Sequence, residues 1–355
     1  MPCHTKPTPR RPRPPPQPNS PGDDGDPRAC THPAPAAQSV HAPNEAPAEK
    51  VAPYLPRFPN NTIRAIHAGA LACLDDSIGE IMAAVTAAGL DNDTLVVLHA
   101  DNGGPLGPTG DGTMASNYPL RSGKHSLFQG GVRVAAFAWG SRWLGAGVNR
   151  TWPGLAHVSD VGLSLLEAAG VAPLAPLPGR PVTGSSFFAP LAAGAPTSLR
   201  EELVVNVDYT YPAHAAIVMP RDAEGREWKL ILGWPEVGGT GFEVDGAWSG
   251  RDGLAEVPQP GPALRPAPPA PQPPAGPGWP LSDMTPTLYD LASDPRELNN
   301  ISTAHPDIVA QLTARLAIWG AQQVAVVAND TIDPRSNPSN FNGSWTPWLG
   351  VGDDL

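Results

Sequence analysis

The sequence predicts an α/β fold followed by a smaller antiparallel β unit, and three patterns support this prediction. An amphipathic stretch at 62–89 precedes a short apolar run at 94–100, which together make half of a βαβ unit. A strand candidate at 132–138 and a helix candidate at 159–169 continue the alternation. From about residue 201 onward, short apolar segments follow one another closely, as is typical of antiparallel strands.

The stretch from 62 to 89 is predicted to be a helix with one apolar face. Its apolar residues recur at steps of three and four, which places them on one side of a helix. They are Ile63, Ile66, Ala70, Leu74, Ile78, Ile81 and Val85. Gly89 stands where a glycine commonly ends a helix.

The run from Thr94 to Ala100 predicts a strand buried on both faces, as parallel strands are, because it is apolar and rich in β-branched residues. The residues that follow it are Asp101-Asn102-Gly103-Gly104. Open α/β sheets place their ligand-binding groups just beyond the carboxyl ends of their strands. This segment is therefore a candidate site.

The second unit is predicted from the strand candidates 203–207, 215–219 and 228–232, the last two forming a hairpin around Gly225. The closing element is a predicted helix at 305–319. We therefore expect three regions, namely a disordered proline-rich segment at 1–36, an α/β region at 37–200, and a small domain at 201–355 with a proline-rich loop at 252–280.

Composition excludes several classes of function. The chain of 355 residues has a formal charge of −11 and no basic stripe beyond its extreme N-terminus, which argues against a nucleic-acid partner. No apolar run is long enough to predict a membrane span or a signal peptide. The cysteines, Cys3, Cys30 and Cys73, are too few for a disulfide framework or a four-cysteine zinc site.

Six Asn-x-Ser/Thr sequons favour passage through the secretory pathway, although sequons also arise by chance. They begin at Asn60, Asn92, Asn149, Asn300, Asn329 and Asn342. We therefore expect a glycoprotein of the secretory pathway.

Two segments carry the candidate chemistry. Asp101 and Asn102 offer adjacent oxygen atoms that suit a hard cation, although Asp-Asn-Gly is also a common turn. Lys124 lies in a loop with closely spaced glycines, where a compact cation can meet a tetrahedral oxyanion. A lysine in a loop is otherwise a solvated charge.

Taken together, the two segments resemble the type I sulfatases of the arylsulfatase B kind, in which a DNGG strand end precedes a PLR-x-GK loop. In this chain the loop reads Pro119-Leu-Arg-Ser-Gly-Lys124-His-Ser-Leu-Phe-Gln-Gly-Gly131. The resemblance covers about residues 36–350. It includes the segments Gln38-Ser-Val-His41, His157-Val-Ser-Asp160, Trp228-Lys-Leu-Ile and Leu288-Tyr-Asp-Leu-Ala-Ser-Asp-Pro-Arg-Glu-Leu298.

The resemblance implies an alkaline-phosphatase-like sulfatase fold, truncated at its N-terminus in this chain. It implies a sulfuric ester hydrolase, with Asp101 and Asn102 as two of the Ca²⁺ ligands and with His41 and Lys124 as catalytic groups that hold the sulfate and assist departure of the alcohol. The implied partner is a sulfate-ester small molecule or a sulfated glycan, and the implied location within the secretory pathway is extracellular or lysosome-like.

Two of the departures from the family pattern concern its catalytic motifs. The family makes its formylglycine nucleophile from the motif C/S-x-P-x-R, and no cysteine or serine in this sequence stands in that motif. Gln129 stands where the family usually has Glu. We therefore expect this chain to be a fragment that is inactive by the family mechanism, with a non-catalytic anion- or glycan-binding protein as the alternative. A phosphatase or phosphodiesterase on the same fold is a more distant option.

Overall fold

The structure is a computed structural model and describes residues 40–105, 114–145, 149–171, 182–195, 199–208, 214–233, 235, 284–322, 334–344 and 346. The segment 1–36 and the loop 252–280 lie outside these residues. No helix among those described is long and apolar enough to cross a bilayer.

The described elements follow the predicted order, with helices and strands alternating before a β-rich part. They are α1 (Ala48–Val51), α2 (Thr62–Ala87), β1 (Val96–His99), α3 (Gln129–Val132), β2 (Ala136–Trp139), α4 (Ser141–Leu144), α5 (Val158–Ala168), α6 (Phe188–Ala193), β3 (Leu203–Asp208), β4 (His214–Val218), β5 (Trp228–Gly233), β6 (Pro286–Asp290) and α7 (Pro306–Gly320). Short 3₁₀ helices cover Ala52–Tyr54, Pro334–Ser336 and Pro338–Phe341.

Helix α2 confirms the prediction at 62–89. The side chain of Asn61 caps its start by accepting a hydrogen bond from the Arg64 backbone N–H at 3.0 Å, and Gly89 follows its end with a φ of +70°. Only part of its apolar face is buried against the other described residues. Ala65 and Ala70 are fully buried, whereas Ile81 is half-exposed.

Strand β1 corrects the prediction of a parallel strand buried on both faces. It lies where predicted but pairs antiparallel with β2, and its side chains are partly exposed. A continuous apolar run shows that a segment tolerates burial, but it does not fix the direction or number of its neighbours. Strand β2 begins at Ala136, later than the predicted 132, because residues 129–132 form the helical turn α3.

The second sheet is antiparallel, with strand order β3-β4-β5-β6, and confirms the predicted hairpin as β4 and β5. Alternate side chains of each strand point to opposite faces. On one face Ile217 and Leu230 pack with Leu312 and Leu316 of α7. On the other face lie side chains from β4, β5 and β6 together with Leu127 and Phe128. Both belong to the loop 119–131 that carries Lys124, called the lysine loop below. The lysine loop is thus part of a hydrophobic core.

Helix α5 starts at a reciprocal cap, one residue before the predicted start at 159. The His157 side chain accepts a hydrogen bond from the Ser159 N–H, and Asp160 accepts one from the His157 N–H at 2.7 Å. Asp160 is buried and also accepts bonds from Arg200 and from the Ser185 N–H. Burial alone raises the pKa of Asp160, but these hydrogen bonds outweigh it and hold the pKa below its ordinary value.

The Asp160 cluster gives a pH-dependent prediction. Because the folded-state pKa is lowered, its contribution to stability is complete above about pH 4 and is lost as pH falls through the folded value. We expect Asp160→Asn to reduce the free energy of unfolding by about 1.5–3 kcal/mol at pH 7, as for hydrogen bonds to a charged group. Urea unfolding should show this deficit shrinking towards pH 3.

The matched control is Asp93→Asn. Asp93 pairs with Arg142 at 2.7 Å, but both side chains are largely exposed, so the loss should stay within about 1 kcal/mol. An equal effect of the two substitutions, or a deficit at Asp160 that does not change with pH, would contradict the role given to the buried cluster.

Candidate functional site

The structure brings together the two residues predicted to hold sulfate. The Lys124 Nζ atom lies 3.5 Å from Nε2 of His41, although the two residues are 83 positions apart in sequence. Nδ1 of His41 lies 2.8 Å from the carbonyl oxygen of Ala42. Because a carbonyl oxygen can only accept, Nδ1 is the donor in this contact, and Nε2 faces the ammonium group of Lys124.

Backbone hydrogen bonds join the lysine loop to the DNGG segment. The Gly103 N–H donates to the Gly131 carbonyl at 2.9 Å, and the Lys124 N–H donates to the Gly104 carbonyl at 3.3 Å. The two sequence motifs are therefore one site in space.

Glycines permit this contact, because a side chain would collide with backbone atoms. A Cβ on Gly103 would lie 1.7 Å from the carbonyl oxygen of Gly130. A Cβ on Gly130 would lie 2.2 Å from the carbonyl oxygens of Arg121 and Ser122. The repeated glycines serve close backbone packing at these positions.

Asn117 is a site residue that the sequence analysis missed. Its Oδ1 accepts from the Gly104 N–H at 2.9 Å, while its Nδ2 donates to the carbonyl oxygens of Gly104 at 2.7 Å and Ser122 at 3.0 Å. Ser122 has a φ of +63°, in the left-handed region that non-glycine residues seldom adopt. Asn117 thus holds both segments together. Its sequence signal is weak, since an asparagine among turn residues is common.

Asp101 and Asn102 lie at the end of β1 as predicted, but their local bonds also fit the turn alternative. Oδ1 of Asp101 accepts from the Asn102 N–H at 2.8 Å, and Nδ2 of Asn102 donates to the Gly103 carbonyl at 2.9 Å. Their oxygen atoms suit Ca²⁺ in type, but that ion prefers six to eight ligands. Among the described residues, no group of three or more His, Cys, Asp or Glu side chains could hold a metal ion. These residues alone do not complete a calcium site.

The close glycine contact predicts a strong effect of a single methyl group. Gly103→Ala should lower the free energy of unfolding by about 3 kcal/mol, the upper range for overpacking, because the methyl meets a backbone oxygen that no rotamer change can move. Urea unfolding and amide exchange across residues 121–131 would measure this loss.

Gly79→Ala is the control for that substitution. A Cβ at Gly79 meets no atom within 4 Å, and its helical position should make alanine stabilising by about 1 kcal/mol. Normal stability and exchange in Gly103→Ala would show that the two backbones do not pack as closely as the structure has them.

Comparison with known proteins agrees with the fold and with these motifs. Residues 36–171 match the Sulfatase family. Arylsulfatase J of Mus musculus is 27% identical over 324 residues, covering 88% of this chain and 49% of that protein. Arylsulfatase A of Homo sapiens is 33% identical over 141 residues, covering 40% of this chain and 25% of that protein. The chain thus spans about half the length of arylsulfatase J, and the matched part spans a quarter of the length of arylsulfatase A.

A solved structure extends the similarity in fold. The crystal structure of Ps i-CgsB in complex with k-i-k-neocarrahexaose aligns with a TM-score of 0.54 at 18% identity, covering 80% of this chain and 48% of that one. The alignment reaches well beyond residues 36–171, and it supports the predicted alkaline-phosphatase-like sulfatase fold. The matched segment 36–171 and the similarity to two arylsulfatases therefore support a type I sulfatase assignment, and the solved structure extends the shared fold beyond that segment.

Proposed function

We propose that this chain binds the sulfate group of a sulfate ester between Lys124 and His41 and belongs to a sulfuric ester hydrolase. The observation that carries the proposal is the 3.5 Å separation of Lys124 Nζ and His41 Nε2, in a loop held by backbone contacts to the DNGG segment. A lysine ammonium neutralises charge on sulfate oxygens, and a neighbouring imidazole can serve the bridging oxygen.

In the hydrolysis of a sulfate ester, the S–O bond to the alcohol breaks, a water oxygen ends on sulfur, and a proton must reach the departing oxygen. Lys124 holds the sulfate oxygens in this proposal. His41, when it carries a proton on Nε2, passes that proton to the departing oxygen, and the proton released by the water that ends on sulfur restores it. The attacking group is not assigned to any residue of this chain, because no cysteine or serine stands in the motif C/S-x-P-x-R. Asp101 and Asn102 are proposed as two of the ligands of a cation.

The second candidate is binding of a sulfated small molecule or glycan without turnover. It is favoured by the same two facts, namely an arranged pair of anion-binding groups and a sequence without the nucleophile motif. The two candidates share the site and differ only in whether an aryl sulfate is hydrolysed.

Sulfate binding is tested by calorimetric titration of the full chain with inorganic sulfate. We expect Lys124→Ala to weaken binding at least about tenfold, because hydrogen bonds to charged groups contribute about 1.5–3 kcal/mol. Lys50→Ala is the control, since Lys50 is a partly exposed cation paired with Asp76, and it should change affinity less than twofold. Equal affinities of the two variants would refute the assignment. Release of p-nitrophenol from p-nitrophenyl sulfate, measured on the same samples, separates hydrolysis from binding alone.

We also propose that the protein is glycosylated in the secretory pathway. The five sequon asparagines that lie in the described residues are all exposed, and Asn329 lies outside them. A deglycosylating amidase converts a modified Asn to Asp. Treatment of protein from its natural source should therefore produce this conversion, detected by peptide mass spectrometry, at one or more of the sites Asn60, Asn92, Asn149, Asn300 and Asn342. Unmodified asparagine at these five sites and at Asn329 would refute the proposal.

A further inference from the structure

A fully buried ion pair lies beneath the lysine loop. Lys229 Nζ on β5 is 2.7 Å from Glu297 Oε1, and both side chains have 0% exposure. Burial lowers the pKa of Lys229, while the charge of Glu297 acts against that shift. Buried charges are costly unless further hydrogen bonds satisfy them, so the other contacts of this pair indicate what it does.

Glu297 holds both ends of the loop segment 121–129. Its Oε2 accepts from the Gln129 backbone N–H at 2.6 Å, and its carbonyl oxygen accepts from the Arg121 guanidinium at 2.8 Å. Lys229 Nζ also lies 3.5 Å from the side-chain oxygen of Gln129. Glu297 adopts a φ of +54°, so its own backbone conformation is unfavourable. One residue of the second unit therefore bonds to the loop on either side of Lys124.

A third contact lies between these two ends. The Leu127 N–H donates to the Pro235 carbonyl at 2.7 Å, just beyond β5, and the ring of Phe128 packs edge-on against Tyr289 of β6. The Arg121 guanidinium lies 3.9 Å from the centroid of the Phe128 ring. The loop is thus fixed to β5, to β6 and to the residues just after them.

We propose that Glu297 is a positioning residue that holds the loop in the conformation that presents Lys124 to sulfate, and that Lys229 offsets the buried charge of Glu297. This inference rests on the proposed role of Lys124. The competing explanation is that the pair only stabilises the second sheet. Positioning is favoured because the second carboxylate oxygen of Glu297 accepts a loop amide, Gln129 N–H.

Two double variants separate these explanations. Lys229→Met/Glu297→Leu replaces both charges with apolar groups, a change that cores commonly tolerate, and removes the acceptor for the Gln129 N–H. Lys229→Met/Glu297→Gln removes the same two charges but retains an amide oxygen at position 297. Neither double variant changes Lys124 or His41. The two variants differ only at position 297, where glutamine keeps an acceptor for the Gln129 N–H and leucine does not.

We expect the leucine variant to bind inorganic sulfate about tenfold more weakly than the unsubstituted chain, as for loss of one buried hydrogen bond, and the glutamine variant to remain within about threefold. Amide exchange across 121–131 should be faster in the leucine variant and unchanged in the glutamine variant. Equal affinity and equal exchange in both variants would overturn the positioning role. If the unsubstituted chain does not bind sulfate, the proposed function fails, while amide exchange still decides whether Glu297 orders the loop.

A measurement on the unsubstituted chain keeps the inference testable if a variant does not fold. Where the loop is fixed to the second sheet, the amides of Leu127 and Gln129 should exchange as slowly as those of β5, because they open only when the sheet opens. Exchange of these two amides at the rate of exposed loop amides would overturn the inference.

Discussion

The contact between the backbones of residues 103–104 and 130–131 is the constraint on which the candidate site depends. The hydrogen bond from the Gly103 N–H to the Gly131 carbonyl brings two segments of the backbone close together. This approach is possible only because Gly103 has no side chain, since a Cβ there would lie 1.7 Å from the Gly130 carbonyl oxygen. Asn117 adds two bonds to the backbone of Gly104 and one to the Ser122 carbonyl, near the start of the same loop. Because the contact is made by backbone atoms, it sets the position of Lys124 relative to β1 with little dependence on side-chain rotamers.

The same loop joins this contact to the core of the second sheet. Leu127 and Phe128 lie on the sheet face opposite α7, so the loop is both a candidate anion-binding element and a covering layer for β4, β5 and β6. A side chain on this loop therefore serves the stability of the sheet and the geometry of the site together. Substitutions of Leu127 or Phe128 are therefore expected to alter both the stability of the sheet and the geometry of the site. Only matched variants separate the two effects.

Sequence patterns were sufficient where periodicity or a motif carried the signal. The spacing of Ile66, Ala70 and Leu74 predicted α2, and the Gly225 turn predicted the β4–β5 hairpin. The pairing direction of β1 was not predictable, because an apolar run is compatible with either direction. The roles of Asn117 and Glu297 were also hidden. Each acts on backbone groups that only the fold brings near, and Glu297 lies 168 residues from Gln129.

The Lys124–His41 pair depends on elements that are far apart in sequence. Lys124 lies on the loop that packs against the second sheet, whereas His41 lies 83 residues earlier in the chain, and their side-chain nitrogen atoms are 3.5 Å apart. In the proposed function a sulfate contacts both groups, so a shift of the loop would change the distance between the two anion-binding groups. The geometry of the proposed site is therefore set by the backbone and core contacts that hold the loop, because no short stretch of chain fixes His41 and Lys124 relative to each other.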